Sequence, residues 1–342
     1  MNIRLSVVER VLRRLHLLPT PVMDAFGGVL FGRALCVAVR KGFFEALSEE
    51  PLAIPHIAEK ISFDAQATRI LAELFVLGSY LQREGERFAL SAEGRKWLVK
   101  SSPQYIGNLV RYFETLYDRW GYLDHTLQHG KPPKPYFEVF EEKDWETYVY
   151  GMRDLARLVI PEIMKEINLG ENPLHMMDIG GSHGLYAIEC CRRYPSLQAT
   201  IVDFDAALLH TSAIIREEHM GSRVRLLGGD LTKSELLREQ DAILIFNVIH
   251  GFGESENRAL VDRALRSLKP RGKLYILDQL RENRIRSGLS QFLPLIVGLH
   301  LMNEIGGTTY SFEQVKMWCD LASSVRRIRL RLPGVTLVEA VR

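Results

Sequence analysis

The sequence is short of cysteine, and the few it has are not arranged for chemistry. Cys36, Cys190, Cys191 and Cys319 are the only four, and none has the paired spacing of a zinc site or a redox dithiol. The adjacent Cys190 and Cys191 read as two helix residues, one of them buried, and a reducing cytoplasmic setting is expected. Charge of one sign is also missing: 44 Lys and Arg stand against 42 Asp and Glu, for a formal charge of +2. A chain that lives on phosphate contacts carries a clustered basic surplus, so nucleic acid is not an expected partner. Long hydrophobic runs are lacking too. Phe292 to Met302 is interrupted by Pro294 and falls short of the roughly 20 residues that a membrane-spanning helix needs. Met1 to Leu18 mixes Arg4, Glu9, Arg10, Arg13 and Arg14 with apolar residues at helical spacing, which is an amphipathic helix and not the apolar middle of a secretory signal. No membrane association is expected.

What remains is an ordinary globular balance, 46% hydrophobic and 25% charged. With 342 residues the chain exceeds the roughly 250 at which one core stops growing, so two domains are expected. From Met23 to about Asn168 the signals are almost entirely helical. Leu30, Leu35, Val37, Ala38, Phe43, Phe44 and Leu47 suggest one helix that is apolar on nearly every face and must be covered by other protein. Ile54–Ile61 and Ala65–Leu77 follow as short helices, the second preceded by Ser62 and Asp64 as capping residues. Tyr80 to Leu90, with Gly85 between two strand-like runs, predicts a hairpin. Helices followed by a hairpin is the order of a winged helix. A DNA-reading role is disfavoured, because Asp64, Arg69 and Glu73 leave the candidate recognition helix without net positive charge. The next stretch, Tyr105 to Gly130, is rich in aromatics, and Lys131 to Lys134 holds two prolines and marks a loop.

After Asn168 the texture changes to strand-length apolar runs alternating with helical stretches. Strands are expected at His175–Ile179, Ala199–Val202, Val224–Leu227, Ala242–Phe246 and Lys273–Asp278. Helices are expected at Tyr186–Arg193, Leu208–His219, Leu231–Leu237 and Ser255–Leu268. This alternation predicts an α/β, doubly wound, Rossmann-like parallel sheet with helices on both faces. The tail alternates Arg327, Arg329 and Arg331 with Ile328, Leu330 and Leu332, as a strand with one solvated face would.

In such sheets a ligand sits outside the carboxyl ends of the strands, near the point where strand order reverses. The loop after the first strand is Asp178, Ile179, Gly180, Gly181, Ser182, His183, Gly184. Its glycines permit a tight turn and close approach to a ligand, and the following helix offers its N-terminus to an anion. The second strand ends at Asp203 and Phe204, where a carboxylate can accept ribose hydroxyls. The third ends at Gly229, Asp230 and Leu231, an acid for an adenine amino group beside a side chain to pack on the ring. The fourth ends at Asn247, Val248, Ile249 and His250, placing an imidazole at the rim.

These motifs, in this order, resemble those of the bacterial and plant small-molecule O-methyltransferases that carry an N-terminal winged-helix dimerisation domain, the family of the caffeic acid and hydroxyindole O-methyltransferases. Asp178 to Gly184 is similar to that family's DVGGGxG loop, Asp203–Phe204 to its DLP segment, and Gly229–Leu231 to its GDF segment. Asn247 to Gly251 resembles the segment ending in the catalytic His-Asp-Trp, Asp278 falls at its next acidic position, and Gly306–Gly307 resemble the GG of GGKERT. The resemblance implies S-adenosylmethionine as methyl donor, S-adenosylhomocysteine as product, His250 as general base and a homodimer through interlocked N-terminal domains. It divides the chain into a helical winged-helix dimerisation domain at 1–105, a helical linker contributing to the substrate pocket at 106–168, and a Rossmann-like methyltransferase domain at 169–342.

Departures occur where Ser182 replaces a glycine, where Gly251 and Phe252 replace Asp and Trp, and where Thr308 to Ser311 replace KERT. The family's second acid is thereby lost, and Glu304 is a candidate substitute. Cofactor contacts are expected from Asp178, Gly180, Gly181, Ser182, Gly184, Asp203, Phe204, Gly229, Asp230, Leu231 and Asn247, and catalysis from His250 and Asp278. A small, flat or apolar acceptor is expected between the domains, near Tyr117, Trp120, Met152, His300, Met302 and Asn303. No metal is expected, although His300 and His250 keep a metal-dependent C-methyltransferase of a keto acid in view. A cofactor-retaining pericyclase-like enzyme, a dehydrogenase using the same loop, and a winged-helix regulator also stay open.

Overall fold

The computed structural model describes residues 6–231, 233, 235–281, 288–331 and 334–342, with backbone alone at 289–291. It divides into two compact units, Met1–Leu116 and Tyr117–Arg342.

The first unit is helical, with a small antiparallel sheet. Its helices include Val7–Arg14, Gly28–Arg40, Ile54–Ile61 and Ala65–Leu77. Its strands are β1 (Leu52–Ala53), β2 (Leu81–Glu84) and β3 (Arg87–Leu90), in the order β1-β3-β2. Phe43, Phe44, Phe75 and Phe88 are fully buried at its centre, and the Phe44 and Phe75 rings lie 5.1 Å apart. The single helix expected across residues 30–47 is two, because Gly42 adopts a left-handed φ of 74° and starts a new turn at Phe43–Ala46. Ser62 is not an N-cap. It closes the preceding helix with φ 56°, and Asp64 alone caps the next helix by accepting the Ala67 N–H at 2.8 Å. The N-terminal stretch Thr20–Arg40 is continuous, and by length and composition it is apolar enough to cross a membrane. Asp24 and Arg33 break up its apolar run, which is why no long hydrophobic stretch is evident there from the sequence. Phe26, at 68%, and Val22, Val29 and Leu30 stand exposed along it.

The second unit holds seven strands in the order β6-β5-β4-β7-β8-β10-β9. They are β4 (His175–Ile179), β5 (Gln198–Asp203), β6 (Val224–Gly228), β7 (Gln240–Phe246), β8 (Leu268–Gln279), β9 (Ser324–Arg329) and β10 (Val335–Val341). β4 to β8 run parallel, and β10 and β9 close the edge antiparallel. Successive side chains of a strand face opposite ways, so apolar neighbours along β4, β5, β7 and β8 feed two cores, while edge strand β6 leaves Leu227 exposed. Met176, Ile201, Leu244 and Leu277 belong to one, while Met177, Val202, Ile243 and Ile276 belong to the other. Each such side chain is worth about 1.5–3 kcal/mol of burial, which is why both faces must be roofed by helices.

The long helix Glu142–Glu166 with Leu185–Arg193 and Asp205–Glu217 supplies residues to the first core, and Glu254–Ser267 with Phe312–Trp318 to the second. The helix expected at 231–237 is absent among its described residues. Leu231 is instead a core anchor, 5% exposed, and Lys233 turns back to the Asp230 carbonyl at 3.1 Å. Of the alternating tail, β9 ends at Arg329, and Leu332 lies outside the described residues. The helix Leu289–Ile305 runs through Pro294, the sixth residue, whose missing N–H removes one intrahelical bond.

Candidate active site

Strand order reverses around β4: the chain winds outward through β5 and β6, then returns to β7 on the other side. Ile179 pairs with Val202 and with Ile245, so the carboxyl ends of β4, β5 and β7 lie level. The loop after β4 is built by exclusion of side chains. A Cβ on Gly180 (φ 71°) would stand 2.3 Å from Val248 Cγ2, and one on Gly181 2.7 Å from the Asp178 carboxyl carbon. Ser182 occupies the family's glycine position at a left-handed φ of 33°, a conformation that costs a side-chain-bearing residue energy. Its N–H donates to Asp203 Oδ2 at 2.8 Å, its carbonyl accepts from Thr211, and its buried Oγ has no partner among the described residues.

Two carboxylates converge on that loop. Both oxygens of Asp178 are buried with no side-chain partner among the described residues, and burial, then Asp203 beside it, pushes its pKa up to about 7 against the opposing pull of the Ala187 N–H. Asp203 is pushed up by burial to about 6, restrained by N–H donation from Phe204 and Ser182. Gly229 N–H donates to the Asp203 carbonyl at 3.1 Å, and the nearest approaches to the missing Gly180 side chain are Val248 and Leu231. The ends of β4 to β7 therefore meet at one place. Asp230 lies beside it but is ion-paired to Lys233 at 3.0 Å. Asn247 has φ 55°, and its N–H donates to the Leu277 carbonyl at 2.7 Å. Phe204 stacks on Phe137 at 5.7 Å.

His250 follows on a short 3-10 turn, Ile249–Gly251. Its Nδ1 lies 2.8 Å from Oδ1 of Asp278, which is 2% exposed at the end of β8. A carboxylate oxygen accepts, so Nδ1 carries the proton and Nε2 the lone pair. Among the described residues Nε2 has no partner, yet it is not sealed from solvent. The turn is held from behind. Asn257 donates to the Ile249 and Phe252 carbonyls, Tyr310 Oη to Phe252 O at 2.6 Å, and Thr308 N–H to His250 O at 2.9 Å. A Cβ on Gly307 would stand 2.0 Å from the His250 carbonyl oxygen. The second glycine of the pair is therefore a spacer behind the imidazole.

Glu304 does not fill the place of the missing second acid. It is buried and ion-paired to Arg119, whose Nη2 also donates to the Glu304 carbonyl at 3.1 Å, and it makes no bond to His250. Burial raises its pKa and Arg119 opposes the rise. Asn303 is likewise committed: Nδ2 donates to Arg119 O at 2.9 Å, and Oδ1 accepts from Thr126 at 2.8 Å. These bonds tie the helix to residues 119 and 126. Trp120 and His300 are brought together, with Trp Nε1 3.5 Å from His Nδ1 and the rings 15° from parallel. Tyr117, Met152 and Met302 are half-buried.

Sequence reasoning missed Arg119 and the aromatic group Tyr136, Phe137, Phe140, Trp145 and Tyr148, whose members contact one another and Phe204. The density of aromatics between 136 and 148 was the available signal. Tyr148 is half-buried there, its hydroxyl pushed up to about 12, chiefly by desolvation. Also unnoticed were His125 and His129, one helical turn apart with rings 4.2 Å apart. Among the described residues no group of three or more His, Cys, Asp or Glu side chains is arranged to hold a metal.

Comparison with known proteins gives a consistent result. The family model for the O-methyltransferase domain matches residues 120–314. The chain is 28% identical over 335 residues to the 3-hydroxy-5-methyl-1-naphthoate 3-O-methyltransferase of Streptomyces sahachiroi, covering 94% of each chain. It is 26% identical to the tetracenomycin polyketide synthesis 8-O-methyl transferase of Streptomyces glaucescens, over 84% of this chain and 85% of that one. The fold superposes on human N-acetylserotonin methyltransferase in complex with S-adenosylmethionine with a TM-score of 0.82 at 19% identity, covering 100% and 99% of the two chains.

Proposed function

The chain belongs to the O-methyltransferase family, and from that premise we propose that it moves the methyl group of S-adenosylmethionine to a hydroxyl of a small, largely apolar metabolite, with His250 as general base. The carrying observation is the His250–Asp278 contact at 2.8 Å, with Nε2 left open. The cofactor fits the strand-edge site on two grounds. The glycine turn is packed so closely that a Cβ on Gly180, Gly181 or Gly184 would strike the chain's own side chains, which leaves bare backbone at the strand edge, and the buried side-chain oxygens of Asp178 and Ser182 have no side-chain partner there among the described residues. We assign the methionine end to Gly180–Gly184, the ribose to Asp203, and the adenine to Asp230 and Leu231, beside Phe204. When bound, S-adenosylmethionine supplies a methyl group on a sulfonium, already activated for in-line transfer.

The chain's own residues do the rest. Asp278 holds the His250 ring in the tautomer whose Nε2 accepts a proton, and it stabilises the imidazolium that results. The acceptor hydroxyl gives its proton to Nε2, and the oxygen's lone pair becomes free to bond carbon. The test is methyl transfer to a panel of phenolic acceptors, followed by mass spectrometry. His250→Ala is expected to lower turnover by about 10²–10⁴-fold while S-adenosylmethionine affinity, by calorimetry, stays near wild type. Equal loss of both would overturn the base assignment.

Exposed Val22, Phe26, Val29 and Leu30 support a homodimer through the N-terminal unit, since a soluble chain covers a contiguous apolar face of this kind. Four buried free thiols suit a cytoplasmic enzyme.

A further inference from the structure

His250 and His300 are the same side chain set in opposite states. His250 donates from Nδ1 to a carboxylate, so its outward Nε2 is a base. His300 meets Trp120 through Nδ1 at 3.5 Å. An indole N–H can only donate, so this Nδ1 must carry the lone pair, and the proton of the neutral ring sits on Nε2. Among the described residues that Nε2 has no partner and is not sealed from solvent. Burial, then His250 and Arg119 nearby, pushes the His300 pKa down to about 4, so the ring is neutral at physiological pH.

The ring is also fixed in place. The helix that carries it is tied at Glu304 and Asn303 to Arg119 and Thr126. Ile305, one turn further on, packs toward Gly251 beside His250, so both imidazoles belong to one neighbourhood. A base and a fixed donor in one neighbourhood suit a molecule with two oxygens, one bearing a proton to lose and one accepting a hydrogen bond.

We propose that His300 is a specificity-determining hydrogen-bond donor, and that the acceptor carries a carbonyl-type oxygen on the same molecule as the hydroxyl that is methylated. This rests on reading His250 as the base. A metabolite with a lone hydroxyl leaves the His300 donor buried against apolar surface, which costs affinity. Trp120 acts through His300 as a positioning residue.

Two measurements on the full-length protein decide it. Long-range proton–nitrogen correlation of the 15N-labelled imidazoles at pH 7, assigned through His300→Phe, is expected to find the His300 proton on Nε2 and the His250 proton on Nδ1. A His300 proton on Nδ1, or on both nitrogens, overturns the proposal. Binding of the methyl esters of the isomeric hydroxynaphthoic acids is then compared with that of the two naphthols, with S-adenosylhomocysteine present. At least one ester is expected to bind about tenfold tighter than its parent naphthol. The advantage is expected to vanish in His300→Phe, to shrink in Trp120→Phe and to persist in His250→Ala. No ester advantage, no measurable binding of any member, or an advantage that survives in His300→Phe overturns the proposal. Failure of the base reading has a different signature, wild-type turnover in His250→Ala.

Discussion

The two halves of the candidate site are built in different ways. The cofactor half is local: Asp178 to Gly184 is seven consecutive residues, and its clamps come from the ends of the strands beside it. The acceptor half is assembled from a distance. Arg119 reaches Glu304 across 185 positions, and Trp120 reaches His300 across 180. Local construction yields a motif that can be read from consecutive residues, because a tight glycine turn has few solutions. Distant construction leaves each partner free to change with the other, which is where acceptor choice can diverge on a common donor site.

Three changes sharpen this contrast. The largest effect is expected from Arg119→Met. It strands the buried Glu304 carboxylate, and breaking a buried pair costs about 3–5 kcal/mol. Denaturant unfolding would measure it, and Arg119→Met with Glu304→Gln should recover much of the loss. Next is Gly307→Ala, whose new Cβ would meet the His250 carbonyl at 2.0 Å. A displacement of about 1 Å can cost about 10²-fold in turnover. Steady-state kinetics should show that loss while S-adenosylmethionine affinity is unchanged, because the strain falls on the acceptor half.

The smallest concerns Asp178 in the unliganded protein. Its pKa is raised from 3.8 to about 7, so the folded state holds the proton more tightly than the unfolded chain. The stability this contributes is present below about pH 4 and is lost as pH climbs toward 7. Asp178→Asn should flatten that part of the stability–pH curve, with little effect on the acceptor half. An unchanged slope would contradict the raised pKa of this buried carboxyl.

The same contrast explains what could be read in the sequence. β4 was legible to the residue, and the other parallel strands to within a few residues, because strands buried on both faces must be continuously apolar. The glycine turn and the positions of Asp203 and His250 followed from where strands end. The ion pair that engages Glu304 was not legible, because nothing near it in sequence reveals Arg119. The helix expected at 231–237 failed because Leu231 and its neighbours suit a helical stripe, yet Leu231 is consumed by the loop's core contact at Gly180. Gly42 and Ser62 were misplaced for a related reason. Their left-handed backbone depends on how the flanking helices pack, which side-chain periodicity does not encode.

The central claim is that donor binding and proton removal reside in separable halves, and one paired experiment tests it most directly. S-adenosylmethionine is titrated calorimetrically into Gly180→Ala and His250→Ala, and single-turnover methyl transfer is timed in both at saturating cofactor. The account requires Gly180→Ala to bind the cofactor at least tenfold more weakly, since its Cβ has no room beside Val248, and His250→Ala to bind it normally while transferring methyl slowly. Normal binding by Gly180→Ala, or weakened binding by His250→Ala in step with its turnover, would contradict it.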